Sequence, residues 1–298
     1  DIRGTSPKVW NAWKGKLLED LFNLTSTVLG GHVVDANTIL SHKIEQAKAL
    51  TRLAGLRDES RDAFWNDLDV AYFLRHDAPD IAWHTRHLYY QSAPAHPAVK
   101  ARLTDAAEGI QIMVYTRDRQ DLFARICLFL GSRGLNIQDA RLHTTRHGYA
   151  LDSFIVMPAS EHGDARSQVN LIEHEMASFL DDEHVGHADR LPSIRARPSR
   201  RSLAFPITPS VTVYPDERSQ NWTLNINATD RQGLLGDIAK IFVKYGVSLS
   251  TAKVMTLGDR VEDVFVLNVD RLQQPRMMRQ FVRELLVSMT LHESKHAA

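Results

Sequence analysis

The chain has 298 residues, with 36 basic and 36 acidic side chains and a formal net charge of zero. That balance excludes a general polyanion partner such as nucleic acid, and the length allows two or three domains, each with its own core. No apolar run is long enough to span a bilayer and no signal peptide opens the sequence, so the cytoplasm is the expected compartment; the start at Asp1, without Met and in mid-pattern, reads as a piece of something longer.

Residues 1–93 read as all helix. Trp10, Trp13, Leu17, Leu18, Leu21 and Phe22 recur at the spacing of one helix face, with Ser6-Pro7 as cap and first-turn residue. Further amphipathic runs cover Asp35 to Leu53, a stretch with Phe64, Leu68, Tyr72 and Phe73, and Pro79 to Tyr90. Residues 94–108, opening with a Pro-containing stretch, read as a linker. From Gly109 the period changes: Ile110, Ile112 and Val114 alternate as in a strand, and Leu122 to Gly134 has helical period. Cys127, the one cysteine, lies in that helix beside Ile126, Leu128 and Phe129, which predicts burial rather than a catalytic thiol. Ile137 to Thr145 and Ala150 to Met157 read as a hairpin turning at His147-Gly148, and Val169 to Leu180 as an amphipathic helix. Arg195, Arg197, Arg200 and Arg201 lie in a Pro/Ser-rich stretch, either a solvated linker or a docking patch. The strand Val211-Thr-Val-Tyr214 precedes or completes a second sheet.

The same order then recurs. Asp118-Arg119-Gln120 matches Asp230-Arg231-Gln232, Leu122 matches Leu234, Ile126 matches Ile238, Gly134 matches Gly246, and Ala140 and Thr144 match Ala252 and Thr256. One residue drops out at the hairpin turn, after which Asp152 matches Asp263 and Phe154 matches Phe265. A gap confined to a turn, with pairing kept on both sides, marks a duplicated module. The expected architecture is α+β: an all-helical segment (1–93), a linker (94–108), a ferredoxin-like βαββαβ module (109–190), a linker (191–207), a second such module (208–290) and a tail (291–298).

In each copy a strand runs into an Asp-Arg-Gln loop and a helix starts soon after it. Free first-turn amides and the helix dipole suit an anion such as the α-carboxylate of an amino acid. Gly233 lets the backbone approach a ligand closely, whereas Asp121 at the matching position either competes with a carboxylate or holds an α-amino group. The other reading of these loops is a structural helix entry capped by Asp118 and Asp230.

The pattern Asp-Arg-x-Gly-Leu, helix, Gly-Val/Leu-Asn-Ile, hairpin resembles ACT domains, small ferredoxin-like modules that sense amino acids. Here it is carried by Asp118 to Leu122 with Gly134-Leu-Asn-Ile137, and by Asp230 to Leu234 with Gly246-Val-Ser-Leu249. Together with Val261-Glu-Asp-Val-Phe265, Ala252-Lys-Val-Met-Thr-Leu-Gly258, Tyr72-Phe-Leu-Arg75 and the stretch from Asp1 to Lys14, the chain resembles the C-terminal part of the bacterial bifunctional uridylyltransferase/uridylyl-removing enzymes of the PII nitrogen-signalling protein. The resemblance implies glutamine as ligand, PII as partner, and control of adding and removing UMP. It also implies a homodimer contact through the ACT modules, and Mg²⁺ for the longer enzyme rather than for this chain. It implies contacts from Asp118, Asp121, Leu122, Phe123, Asn136 and Ile137, or from Asp230, Gly233, Leu234, Leu235 and Ser248. ACT modules pair their sheets edge to edge, so a site within each copy and a site shared between copies are both open.

No catalytic residue is expected. The transferase motif is missing, and of the metal ligands in the HD-type hydrolase domain only a late Asp has a counterpart, Asp1, an orphan that cannot hold a metal alone. His76-Asp77 imitates the HD dyad; with His84 and His87 it is read as surface histidines rather than ligands. Two rivals remain: an interaction module that binds no small ligand, and a metal-dependent phosphohydrolase fragment acting through His76-Asp77.

Overall fold

The computed structural model describes residues 36–91, 93–104, 109–158, 165–182, 207–215, 221–254, 256–257, 260–268 and 274–290. The run from Trp10 to Phe22, Asp1, the arginines at 195–201 and the tail lie outside the described residues. The chain forms two compact units. Among the described residues, one holds 36–95 with Leu103, Thr104 and the hairpin tip Thr145–Tyr149; the other holds His96–Arg102, Gly109–Thr144 and the described residues from Ala150 onward.

The helical unit contains α1 (Ala36–Leu53), α2 (Asp58–Trp65), α3 (Val70–Arg75) and α4 (Ala78–Leu88). The run expected to continue from Phe64 to Phe73 breaks into two helices. Asp69 is the reason: its carboxylate accepts the Tyr72 N–H at 2.9 Å and starts α3 afresh. His76 and His84 correct the surface reading, since both are fully buried. Residues 81, 84, 85 and 88 share one face of α4, so His84 enters the core between Ile81 and Leu88. There the Tyr72 hydroxyl and His84 Nδ1 are hydrogen-bonded at 2.7 Å, and His76 Nδ1 lies 3.0 Å from the Tyr72 carbonyl oxygen. Trp65 Nε1 donates to Thr85 Oγ1 at 2.8 Å in the same core. These histidines pack and bond, as buried polar groups must. Asp77 is exposed and His87 half-buried, and among the described residues no three metal-ligating side chains cluster.

The second unit is built on one sheet. Its strands are β1 (Ala98–Leu103), β2 (Ile110–Arg117), β3 (Leu135–Arg141), β4 (Tyr149–Pro158), β5 (Ser210–Pro215), β6 (Asn221–Thr229), β7 (Ser248–Lys253), β8 (Thr256–Leu257) and β9 (Arg260–Asn268). Its helices are α5 (Leu122–Ser132), α6 (Ala165–Asp181), α7 (Leu234–Tyr245) and α8 (Pro275–Met289). The strand order β1-β2-β4-β3-β7-β9-β6-β5 shows two βαββαβ-like halves joined edge to edge through β3 and β7. That joint removes two open edges from solvent, and α5 packs on α7 across it.

The duplication is visible in the backbone. Gly134 and Gly246 both follow their helix with positive φ (68° and 66°), and each following strand bulges at the same point, between Ile137 and Asp139 and between Leu249 and Thr251. Among the described residues the outer edge of each half is held by a strand: β5, which contains the expected Val211–Tyr214 strand of the second sheet, beside β6, and β1 beside β2. Residues 98–103, expected as part of a linker, are therefore β1. The signal was weak because Lys100 and Arg102 interrupt the apolar pattern; in the fold, Glu173 of α6 accepts from Lys100 Nζ at 2.9 Å and from the Ala101 N–H at 2.8 Å.

Candidate functional site

The joint between the halves creates two related clefts. The antiparallel register Arg141↔Lys253 places the ends of β3 and β7 side by side, so each strand starts beyond the end of the other. The start of β7 thus lies beside the hairpin of the first module, and the start of β3 beside that of the second. The first cleft, of about 210 Å³, is lined by Asp118, Leu122, Phe123 and Ala124 at the start of α5, by Thr144 and Asp152 of the hairpin, and by Val247, Ser248 and Leu249 of the second module. The second, of about 40 Å³, is lined by Asp230, Gly233, Leu234 and Leu235 at the start of α7, by Thr256 and Asp263, and by Leu135, Asn136 and Ile137 of the first module. The first is the roomier by a wide margin.

Each cleft holds a helix start with amides to spare. Leu122 N–H donates to the Arg119 carbonyl at 3.0 Å and Arg125 N–H to the Asp121 carbonyl at 3.0 Å, whereas the Phe123 and Ala124 amides find no acceptor among the described residues. The second helix repeats this: Leu234 and Asp237 donate to Arg231 and Gly233, and the Leu235 and Gly236 amides find no acceptor among those residues. Two adjacent unbonded amides at a helix N-terminus can bind a carboxylate.

The loop arginines serve the fold instead. Arg119 donates to the Leu180 carbonyl at 2.8 Å and Arg231 to the Ser288 carbonyl at 2.9 Å, so each ties its loop to the module's second helix. Asp121 is the N-cap residue of α5, but its side chain makes no capping bond. It pairs with Arg125 at 2.8 Å and Arg119 at 3.4 Å. In the second copy the acid sits one turn later, as Asp237, 2.6 Å from Arg231. The expected caps Asp118 and Asp230 are thus corrected to Asp121 and Gly233. Asp118 accepts instead from Thr144 Oγ1 at 2.9 Å. Gly233 has φ +83° where Asp121 has −97°, so the two loops differ in backbone as well as in side chain.

Asp152 and Asp263 face inward from β4 and β9, 4% and 2% exposed. Burial pushes the Asp152 carboxyl well above the usual carboxylate range; the bond from the His143 N–H opposes this and the charge of Asp118 adds to it. The folded chain therefore keeps this proton longer than the unfolded chain, whose aspartates titrate near 3.9. Below about pH 4 the group costs no stability; above it, the cost grows until the folded-state pKa is reached. Cys127, buried in α5 as expected, has its thiol pushed well up by burial, which makes it unreactive.

Residues 35–87 match the profile of the uridylyltransferase GlnD fifth domain. Over its whole length the chain is 55% identical to the bifunctional uridylyltransferase/uridylyl-removing enzyme of Bordetella pertussis, of which it covers 35%. It is 56% identical to that of Bordetella avium over 96% of the chain and 33% of the relative, and 50% identical to that of Ralstonia nicotianae over 94% and 32%. The chain belongs to this enzyme family, as a C-terminal region of it. It spans about a third of the length of the curated relatives it matches. No helix among the described residues is long and apolar enough to cross a membrane.

Within this family member, the residues singled out from sequence group differently from their order in the chain. Asn136 and Ile137 stand with the Asp230 loop rather than with Asp118, and Ser248 stands with the Asp118 loop. Asp121 lines neither cleft, because its carboxylate is held between two arginines. In the sequence, Asp152 and Asp263 mark only the alignment of the two copies. Their signal was an acid at an inward strand position, twice, between residues that are apolar on the same face.

Proposed function

We propose that this chain is the regulatory part of a PII uridylyltransferase/uridylyl-removing enzyme, a cytoplasmic protein in which paired ACT modules sense glutamine. One observation carries the reading: each cleft joins a helix start, whose two amides find no acceptor among the described residues, from one module to a strand start from the other. A ligand there touches both modules, so its affinity depends on how they sit together. Glutamine then shifts the balance between adding and removing UMP on PII to the extent that it binds two arrangements unequally.

A thermal-shift screen of amino acids on the 298-residue chain tests this. L-glutamine is expected to raise the melting temperature saturably, by a stabilisation of about 2.7 kcal/mol at a hundredfold excess over its Kd. A flat response to every amino acid at millimolar concentration contradicts the proposal and leaves an interaction module that binds no small ligand.

A further inference from the structure

The first cleft contains an ionisable group that no cationic side chain among the described residues neutralises. Asp152 stands on the inward face of β4, and its one hydrogen bond among the described residues comes from the His143 N–H to Oδ1 at 3.2 Å. No lysine, arginine or histidine side chain among those residues pairs with it. Buried carboxylates are normally paired, because an isolated buried charge is costly. Of the ionisable groups around it, Asp118 and Arg119 come from the loop before α5, Cys127 from α5 and His143 from the stretch after β3, and the cleft residues of α7 and β7 are uncharged. Arg119 is committed to the Leu180 carbonyl and to Asp121. Hydrophobic residues surround Asp152 on its own strand face, Ala150 and Phe154, so packing alone would be served by an aliphatic side chain.

We propose that Asp152 holds the ammonium group of an α-amino acid whose carboxylate sits on the Phe123 and Ala124 amides. The first cleft then recognises a zwitterion, with an acceptor for its cationic end and donors for its anionic end. This rests on reading the cleft as a small-molecule site and adds the residue that sets its chemical class. It also makes the first cleft, with its larger volume, the primary site. The ligand's ammonium becomes the missing counterion of Asp152 and favours the carboxylate form, so binding releases a proton wherever Asp152 is protonated in the free chain.

Isothermal titration of the 298-residue chain compares L-glutamine with 4-carbamoylbutanoate, which is glutamine without its α-amino group. The wild type is expected to bind glutamine at least about tenfold more tightly, the equivalent of about 1.4 kcal/mol. Asp152→Asn, close in shape to the protonated acid, is expected to lose about tenfold or more in glutamine affinity and to bind both compounds within about threefold of each other. Retention of the full preference in a folded Asp152→Asn protein overturns the role of Asp152 while leaving the small-molecule reading intact. Equal binding of the two compounds by the wild type overturns it without any variant, so the question does not depend on the variant folding. A wild type that binds no amino acid overturns both the reading and this inference.

Discussion

Phe265→Ala lowers the unfolding free energy of the two-module unit by about 3–5 kcal/mol, the usual cost of removing a buried phenylalanine ring. Phe265 is 0% exposed. Its ring meets Phe242 at 5.2 Å within the second module and Phe123 at 6.4 Å in the first, both in edge-on geometry. Those contacts make it a joint between the halves rather than a core residue of one half, and Phe123 and Phe242 both line the first cleft. The substitution therefore removes apolar burial and loosens the wall against which α5 starts. Urea unfolding followed by circular dichroism should show the midpoint fall, with the melting temperature dropping by roughly 2–4 °C per kcal/mol for a unit of this size. A loss under about 1 kcal/mol would mean that the modules fold independently of this contact.

Asp121→Gly, which gives the first loop the residue found in the second, is expected to destabilise by about 3–5 kcal/mol rather than to open a better ligand site. Arg125 is the reason. Its side chain is 5% exposed and paired with Asp121 at 2.8 Å, and without that acid a buried guanidinium loses a charge-neutralising carboxylate; the Asp182 carbonyl oxygen, 3.3 Å from Nη1, carries no full charge. Glycine adds a smaller entropic cost, because the position has φ −97° and gains nothing from glycine's extra freedom. Adding Arg125→Asp should recover most of the loss: it recreates the arrangement of the second copy, where Asp237, one turn into the helix, takes the loop arginine. Chemical denaturation of the single and double variants measures this coupling. A double variant no more stable than Asp121→Gly alone would contradict the exchange of charge between positions.

Much of the fold was legible because the duplication leaves a double record. Gly134 and Gly246 end their helices in the same conformation, the bulges fall at matching residues, and the sequence gap sits in the hairpin that differs. What escaped depends on contacts between segments far apart in sequence. That Asn136 serves the Asp230 loop follows from the β3–β7 register, which no local pattern encodes. β1 escaped because an edge strand buries little, and the cation of Lys100 is satisfied by Glu173, 73 residues on. At a loop before a helix, Asp121 predicts a group facing a ligand; that Arg119 and Arg125 close on it depends on the folded loop. The polarity of His76 and His84 predicts exposure, whereas the shared face of positions 81, 84, 85 and 88 already points His84 into the core.

A single small molecule at the first cleft is proposed to bridge the two modules. Amide hydrogen exchange with and without L-glutamine tests it most directly, because the Phe123 and Ala124 amides find no acceptor among the described residues and should exchange fast in the free chain. The account predicts that glutamine slows exchange in residues 118–128 and, at the same ligand concentration, in residues 242–252 of the other module. Protection confined to one module, or none at saturating glutamine, would contradict it.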